Sequence, residues 1–326
     1  MAMKLSTSAL EDAESLEDKN LIANSMYVIG HTYYEQGNYD KTLNYYIPIL
    51  KICEEVGNTH CIGNINLSIG SSYWYKYDYD KALEYYGKAL KIQEKIDDKS
   101  GIAMSFINYA HYYIVIIHDY DKALDYYHRA LEIKEEVNDM RGIAFCLNGI
   151  GNSYNNKDDY DKALNYYIRA LKIREDLGVK RWIANTLSNI GNTYISKDDY
   201  DKALDYHRRA LKTREEVGDE SNIVTSLINV GSVYSDKGDY DKALDYYERS
   251  LKIDEELGDK RGVGKSLNNI GWTYYEIGKY NKALEYYNRG LKINEELDDK
   301  HSISNDFTNI GLVYFQQEDY NSSILI

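Results

Sequence analysis

The side chains that could do chemistry in this chain form no catalytic or metal-binding pattern, but one amide side chain recurs regularly. The seven histidines include no H-x-x-x-H or H-E-x-x-H spacing, so we expect no metal site and no cofactor. No nucleophile stands in a recognisable relation to a base, so we expect no enzymatic activity. A carboxamide both donates and accepts hydrogen bonds, which matches the N–H and C=O of a peptide together. Such a carboxamide recurs every 40 residues at Asn189, Asn229, Asn269 and Asn309.

These asparagines belong to a repeat that runs through the chain. Its most regular marker is a tyrosine spaced by 40 residues, once by 41, at Tyr39, Tyr79, Tyr120, Tyr160, Tyr200, Tyr240, Tyr280 and Tyr320. A fixed period of this length predicts a solenoid, in which each repeat buries its apolar face against its neighbours.

Each repeat is predicted to contain two helices, as residues 141–178 illustrate. Leu147, Ile150 and Tyr154 recur at the spacing of one helical face. Asp159 is a good N-cap for the second helix, and Gly178 follows that helix as a predicted left-handed C-cap. Equivalent glycines are Gly57, Gly218 and Gly258. The small residues Gly151, Ala163 and Ala170 are predicted to lie where helices approach most closely.

Composition fits a helical array. The 326 residues include one proline and carry a formal charge of −14. The charge argues against a nucleic-acid partner, which requires clustered Lys and Arg. We also expect no membrane span and no secretory signal. The three cysteines, Cys53, Cys61 and Cys146, form no even framework, which favours a reducing compartment and a cytoplasmic location.

The repeat resembles the tetratricopeptide repeat. The pattern W-x2-L-G-x2-Y…A-x3-F matches Leu147, Ile150, Gly151, Tyr154, Ala163 and Tyr167, and again Leu267, Ile270, Gly271, Tyr274, Ala283 and Tyr287. The period of 40 rather than 34 is similar to the long-helix subgroup, which includes kinesin light chains and peptide-sensing regulators. The resemblance implies an all-α fold: a right-handed superhelical α-solenoid of about eight antiparallel helix pairs.

The resemblance also suggests the domain limits. We expect residues 1–8 to be a disordered leader and residues 9–326 to form a single solenoid that begins and ends within a second helix. A fragment of a longer array or a truncated reading frame is one explanation of these ends, and half-helices that act as caps are the other. Two local faults are expected. Pro48 should bend the second helix of its repeat, and the extra residue of the 41-residue spacing should distort the segment Ile114–Asp119.

In the resembled family, partners bind a concave groove of first helices. Its positions lie six, three and two residues before the repeat glycine and one, four and five after it. Of the 48 such positions here, four are charged, fifteen are asparagine and eight are aromatic. The resemblance implies that the asparagines clasp a peptide backbone and that aromatic residues receive apolar side chains. The implied peptide-binding residues are Asn108, Asn189, Asn192, Asn229, Asn269, Asn309, Trp272, Tyr275 and Phe315.

Other interpretations stay open at this stage. The asparagines could instead bond neighbouring helices or face water. A clamp for chaperone tails, which the family also uses, is disfavoured because Ser188 and Asn269 stand where two cations belong. We therefore expect a non-catalytic scaffold that binds a protein or extended peptide, with neither nucleic acid nor membrane as a partner. The alternative is a sensory or regulatory array of a larger signalling protein.

Overall fold

The computed structural model describes residues 2–317 of the chain. Within that range the backbone forms sixteen α-helices and one π-helical segment, with no β-strand. The chain divides into two compact units, Met1–Tyr166 and Tyr167–Ile326, which we call the first and second unit.

The helices up to the boundary are α1 (Ala2–Ser15), α2 (Lys19–Glu35), α3 (Tyr39–Glu55), α4 (Thr59–Tyr75), α5 (Tyr79–Lys95), α6 (Lys99–Tyr112), the π-helical segment (Tyr113–Ile117), α7 (Tyr120–Glu136) and α8 (Met140–Asn156). The others are α9 (Tyr160–Asp176), α10 (Lys180–Ser196), α11 (Tyr200–Glu215), α12 (Glu220–Asp236), α13 (Tyr240–Leu257), α14 (Lys260–Glu276), α15 (Tyr280–Glu296) and α16 (Lys300–Gln316).

Each repeat folds as a pair of helices, as the sequence predicts. In the first unit α2 packs on α3, α4 on α5 and α6 on α7, and in the second unit α10 packs on α11, α12 on α13 and α14 on α15. Turns of a few residues join the members of each pair, so they run antiparallel. First helices also meet one another, because α4 contacts α6 and α14 contacts α16. The predicted all-α stack of helix pairs is confirmed.

Caps fix where the helices begin and end. The side chain of Asp159 accepts a hydrogen bond from the N–H of Lys162 at 3.4 Å, as an N-cap should. Most first helices carry an aspartate cap as well, which the sequence analysis did not predict; Asp139, for example, accepts from the N–H of Gly142 at 2.9 Å. The predicted left-handed glycines are confirmed, with φ of 69°, 67°, 66° and 69° at Gly57, Gly178, Gly218 and Gly258.

The repeat glycine makes room for an aromatic ring within its own repeat. A Cβ on Gly70 would lie 2.6 Å from Cε1 of Tyr86, and a Cβ on Gly231 would lie 2.7 Å from Cε1 of Tyr247. Both tyrosines are the second of a tyrosine pair and are buried. The predicted packing role of the small residues is also confirmed, because Ala163 and Ala170 are fully buried and Gly151 is buried.

The third repeat departs from this arrangement. Its first helix ends in the π-helical segment Tyr113–Ile117, followed by His118 in a left-handed conformation with φ 57°, so the irregular ending predicted near Ile114–Asp119 is confirmed. Ala110 stands where other repeats have the glycine that accommodates the ring. The ring of Tyr127 reaches Gly149 of the next repeat, where a Cβ would lie 2.3 Å from its Cζ.

Several expectations differ from the structure or lie outside it. Helix α1 begins at Ala2, whereas we expected residues 1–8 to be a disordered leader. A helix forms there because no proline or glycine interrupts the segment. Helix α3 continues without interruption across Pro48, so the expected bend stays a prediction. The repeat that follows Tyr320 lies outside the described residues, and the single-solenoid interpretation of residues 9–326 also stays a prediction.

The expectation that the three cysteines form no disulfide framework was wrong for two of them. Cys53 at the end of α3 and Cys61 at the start of α4 form a disulfide, with their Cα atoms 5.9 Å apart, and Cys146 is a buried free thiol. Two of the three cysteines therefore do form a pair. The reason is that the fold brings the end of a second helix next to the start of the following first helix, as the bond from Arg174 to the Trp182 carbonyl also shows, so the cysteine argument for a reducing compartment fails.

Candidate functional site

The predicted asparagine ladder lies on the first helices of the second unit. Asn189, Asn229, Asn269 and Asn309 stand at equivalent positions of α10, α12, α14 and α16, and each is half-buried. Among the described residues, the side chains of Asn229 and Asn269 form no hydrogen bond. The backbone carbonyl of Asn269 accepts one from Thr273 Oγ1 at 2.8 Å. The amides of Asn229 and Asn269 are therefore not used in joining helices, which was one of the two competing interpretations; the other was that the asparagines face water. Asn192 is exposed on α10.

Aromatic side chains accompany the ladder near α14 and α16. Trp272 is 42% exposed and Phe315 is 56% exposed, and the two belong to first helices that contact each other. The rings of Trp272 and Tyr275 lie 5.4 Å apart between centroids. Tyr275 in turn lies 5.8 Å from Tyr280, the first residue of α15. The end of the second unit thus offers apolar ring surface beside the amides.

Asn108 lies in the first unit and is half-buried on α6. The following repeat carries Gly149 at the ladder position, and the structure gives the reason. Tyr127 occupies the space that an asparagine side chain would need there. The Tyr127 hydroxyl is buried and has no partner among the described residues, and burial raises its pKa. The ladder is therefore interrupted where the Tyr127 ring takes the place of an asparagine side chain.

Buried polar pairs at the junctions between repeats escaped the sequence analysis. From Tyr39 to Tyr280, the residue 14 positions after each marker tyrosine is buried, and so is the residue a further 12 positions on, in the next first helix. Gln93 accepts from Ser105 Oγ at 2.7 Å, and Asp254 accepts from Ser266 Oγ at 3.1 Å. The other hydrogen-bonded pairs are Arg174 with Thr186, Arg214 with Ser226, and Asn294 with Asp306. A polar residue at a fixed period inside an apolar pattern was the available signal.

Two of these pairs reach side chains of the groove. Nη2 of Arg214 donates to Oδ1 of Asn185 at 3.0 Å, which leaves the NH2 of Asn185 toward the outside. Asp306 accepts from Nδ2 of Asn268 at 2.7 Å, and burial raises the pKa of Asp306. Buried groups thus fix the orientation of these two amides from beneath.

A cavity of about 710 Å³ opens in the first unit between α2, α4 and α6. Tyr27, Tyr34, His60, Asp98 and Asn108 are among its lining residues. In the second unit a smaller cavity of about 530 Å³ lies between α14, α15 and the start of α16, and Arg261, Lys265, Asp298 and Lys300 are among the residues around it. Both cavities include first-helix positions of the predicted groove, such as Tyr27 and Asn108 in the first and Lys265 and Asn268 in the second, but the sequence analysis did not predict cavities there.

The part of the chain that the structure describes also bears on metal and membrane contacts. There, no group of three or more His, Cys, Asp or Glu could hold a metal ion. The stretch Lys99–Ile117 is long and apolar enough to cross a membrane by length and composition. In the structure it forms α6 and the π-helical segment, which pack against α5 and α7.

Comparisons with known proteins agree with this architecture. The sequence pattern of the Tetratricopeptide repeat matches residues 21–95, 61–136, 142–216 and 222–296. A comparison with curated proteins gives no match. Among solved structures, BtubC (BKLC) from P. vanneervenii is 23% identical, with a TM-score of 0.59 over 67% of this chain and 91% of that one.

Two further structures are similar at lower identity. The STAND protein PH0952 from Pyrococcus horikoshii, a signal transduction ATPase with a tetratricopeptide repeat sensor, is 18% identical with a TM-score of 0.73, over 94% of this chain and 45% of that one. Aspartyl phosphate phosphatase F from Bacillus subtilis is 18% identical with a TM-score of 0.60, over 95% of this chain and 91% of that one. At these identities the likeness shows the fold.

Proposed function

Because the chain belongs to the tetratricopeptide-repeat family, we propose that it is a non-catalytic scaffold that binds a protein or peptide in a groove of the second unit. The groove consists of the first-helix positions of α10, α12, α14 and α16. The observation that carries the proposal is the side-chain amides of Asn229 and Asn269, which are half-buried and form no hydrogen bond among the described residues. A half-buried amide without a partner suits a ligand that supplies one.

The groove suits an extended peptide that is largely uncharged or weakly basic. Among its 24 positions in the second unit, only Asp236, Lys265 and Glu276 are charged, so a highly charged peptide would find few partners. Carboxamides in successive repeats can bond a peptide backbone without selecting its sequence. The exposed rings of Trp272 and Phe315 would then receive apolar side chains and supply most of the selectivity.

The test is a peptide-library selection against the whole chain, followed by titration of the selected peptides against variants. One Asn→Ala change at Asn229 or Asn269 should weaken binding by about 0.5–1.5 kcal/mol, the net value of one hydrogen bond. The double variant should lose roughly the sum if the sites act independently. Trp272→Ala should cost about 2 kcal/mol or more, as buried aromatic anchors do.

Asn288→Ala is the matched control, because Asn288 is exposed on the second helix α15 and bonds only its own helix, at the Leu284 carbonyl. It should leave affinity unchanged. Affinity should also depend weakly on salt, because few groove positions are charged. Equal binding of the selected peptides to the Asn229/Asn269 double variant and to the Asn288 control would refute the groove proposal.

A second candidate is a sensory or regulatory array within a larger signalling protein. It is favoured by the similarity to the STAND protein, whose repeats are described as its sensor and of which this chain spans 45%. Sequencing the complete coding region decides between the two. A region that continues into an ATPase, kinase or other effector domain would support the sensor, and a region without one would support the free-standing scaffold.

Cytoplasmic location is part of the same proposal, and the Cys53–Cys61 pair offers a test of it. Disulfides persist in oxidising compartments and are rare in the cytosol. A reducing cytoplasm would open the Cys53–Cys61 disulfide of the structure, so alkylation of thiols at the moment of cell lysis, followed by mass spectrometry, should find both cysteines alkylated. A stably oxidised pair would argue against the cytoplasm.

A further inference from the structure

Cys53 and Cys61 lie at two positions that the fold brings together where one repeat meets the next. Their Cα atoms are 5.9 Å apart, inside the range of about 4.4–6.8 Å that a disulfide spans. The equivalent residues of a later junction are also in contact, because Nη1 of Arg214 donates to the Asn222 carbonyl at 3.2 Å. The contact therefore belongs to the repeat architecture and does not require a bond between the two sulfur atoms.

The junction between the first and second repeats, which contain α2–α3 and α4–α5, differs from later ones in its buried side chains. At later junctions a buried polar residue meets another 12 positions on, as Gln93 meets Ser105 at 2.7 Å. The residue 12 positions after Cys53 is Ile65, which is buried and apolar. Inside this junction the two cysteines therefore take the place of the polar pair.

The two cysteines differ in exposure and surroundings. Cys61 is half-buried in the first turn of α4, and that turn carries no acidic residue. The N-terminal turn of a helix stabilises a thiolate, which is the reactive form of cysteine. Cys53 is only 2% exposed, near the end of α3. An accessible cysteine beside a second one that can bond to it is the arrangement of a redox-sensing pair.

We propose that Cys53 and Cys61 form a reversible modification site, at which a hydroperoxide converts the dithiol to the disulfide and so joins the first repeat covalently to the second. The resting form is the dithiol, and the disulfide is the oxidised form. The site lies in the first unit and does not depend on the groove proposed for the second unit.

The oxidation takes place in two steps. The Cys61 thiolate attacks an oxygen of hydrogen peroxide, so a sulfur–oxygen bond forms, the oxygen–oxygen bond breaks, and the departing hydroxide takes up a proton to become water. The sulfur of Cys53 then attacks Sγ of Cys61, and the sulfur–sulfur bond replaces the sulfur–oxygen bond. The second hydroxide leaves with the Cys53 proton as water. The two sulfurs together lose two electrons, which reduce the peroxide.

Reduction needs a small thiol such as glutathione. Its thiolate attacks the half-buried Cys61 sulfur and releases Cys53 as a thiol, and a second glutathione then attacks the mixed disulfide and frees Cys61. The two glutathione molecules leave as their own disulfide, so the electrons balance. The greater exposure of Cys61 makes it the sulfur at which both directions begin.

The bond should stabilise its own part of the chain. A disulfide restricts the unfolded chain, and coupling in a solenoid is mainly between neighbouring repeats. Amide hydrogen exchange in α3 and α4 should therefore slow by about ten-fold or more on oxidation. Exchange in α12–α15 should not change.

The experiment uses the purified full chain, first reduced and then treated with an equal amount of hydrogen peroxide. Mass spectrometry should find the internal Cys53–Cys61 bond, with the exchange pattern given above, and excess reduced glutathione should return both to the dithiol state. Three results would each overturn the proposal: disulfide-linked dimers or sulfinic acid in place of the internal bond, a bond that glutathione does not open, or equal exchange in the two forms.

Variants assign the attacked sulfur. In Cys53→Ala the sulfenic acid on Cys61 has no internal partner, so dimedone should trap it. In Cys61→Ser the buried Cys53 should stay unlabelled. Cys146 is the control within the same chain, because it is fully buried and burial raises its pKa to about 12. Labelling of Cys61 no faster than that of Cys146 overturns the proposal, as does labelling of Cys53 as fast as that of Cys61.

Discussion

Replacing Gly149 by alanine should destabilise the protein, although the same change usually stabilises a helix. In the interior of a helix, alanine is favoured over glycine by about 1 kcal/mol. At Gly149 the new Cβ would lie 2.3 Å from Cζ and 2.7 Å from the hydroxyl oxygen of Tyr127. Since carbon atoms prefer separations of about 3.5–4.0 Å, the ring would have to move by more than 1 Å. Tyr127 is fully buried, so it has little room to do so.

The size of the destabilisation follows from two opposing effects, overpacking and helix propensity. Overpacking a core costs about 1–3 kcal/mol, occasionally more, and the gain in helix propensity offsets about 1 kcal/mol of this. We expect a net loss of about 1–2 kcal/mol in the free energy of unfolding, measured by urea denaturation. Gly290→Ala is the matched control, because its Cβ would meet nothing closer than 3.7 Å and most repeats carry alanine at that position. It should be neutral or stabilising.

A double-mutant cycle tests the proposed cause. If Ala110 is what moves the Tyr127 ring toward Gly149, then Ala110→Gly should let the ring pack against position 110, as the equivalent rings pack against the repeat glycine elsewhere. Ala110→Gly alone should cost about 1 kcal/mol. Combined with Gly149→Ala it should return the stability close to that of the unmodified chain, a coupling of about 2–3 kcal/mol, well above the roughly 0.5 kcal/mol seen for independent sites. Additive losses would refute the reasoning.

Two further predictions concern stability. Burial, and secondarily Arg214, lowers the pKa of His207 to about 4, so the folded state binds fewer protons than the unfolded state, and stability is lost as pH falls from about 6.5 toward 4. This amounts to about 2 kcal/mol between pH 7 and pH 5. His207→Phe should remove that loss in urea titrations at the two pH values, whereas His128→Phe, at an exposed position, should retain it. Ala203→Leu should overpack a fully buried site at a cost of about 1–3 kcal/mol. Because coupling in a solenoid is mainly between neighbours, its loss of hydrogen-exchange protection should be greatest in adjoining repeats, and uniform loss along the chain would contradict that view.

The helices and their limits could be predicted from the sequence because their causes are local and repeated. Asp159 and Gly178 act through their own backbone and immediate neighbours, so one repeat predicts the next. The 41-residue spacing could be placed for the same reason: an inserted residue must be absorbed somewhere before Tyr120, and it is absorbed in the π-helical segment.

What could not be predicted depends on contacts between repeats. The ladder has no asparagine at Gly149, because the ring of Tyr127, 22 residues earlier in the chain, takes that place. The Cys53–Cys61 bond follows from the junction contact that brings the two positions together. The two cavities depend on the spacing between neighbouring helices, and the apolar periodicity of a single helix does not determine that spacing.

The buried pairs at the junctions make some repeats easier to lose than others. Removing residues 180–219 would set Arg174 against Ser226, which reproduces the Arg214–Ser226 pair that the chain already has. Removing residues 260–299 would bring Asp254 to face Asp306, two buried carboxyl groups whose pKa values burial already raises. Both deletions remove 40 residues and keep the register of every helix. Unequal recombination could shorten the array freely at the first place, whereas the second deletion would need a compensating change in one of the two aspartates.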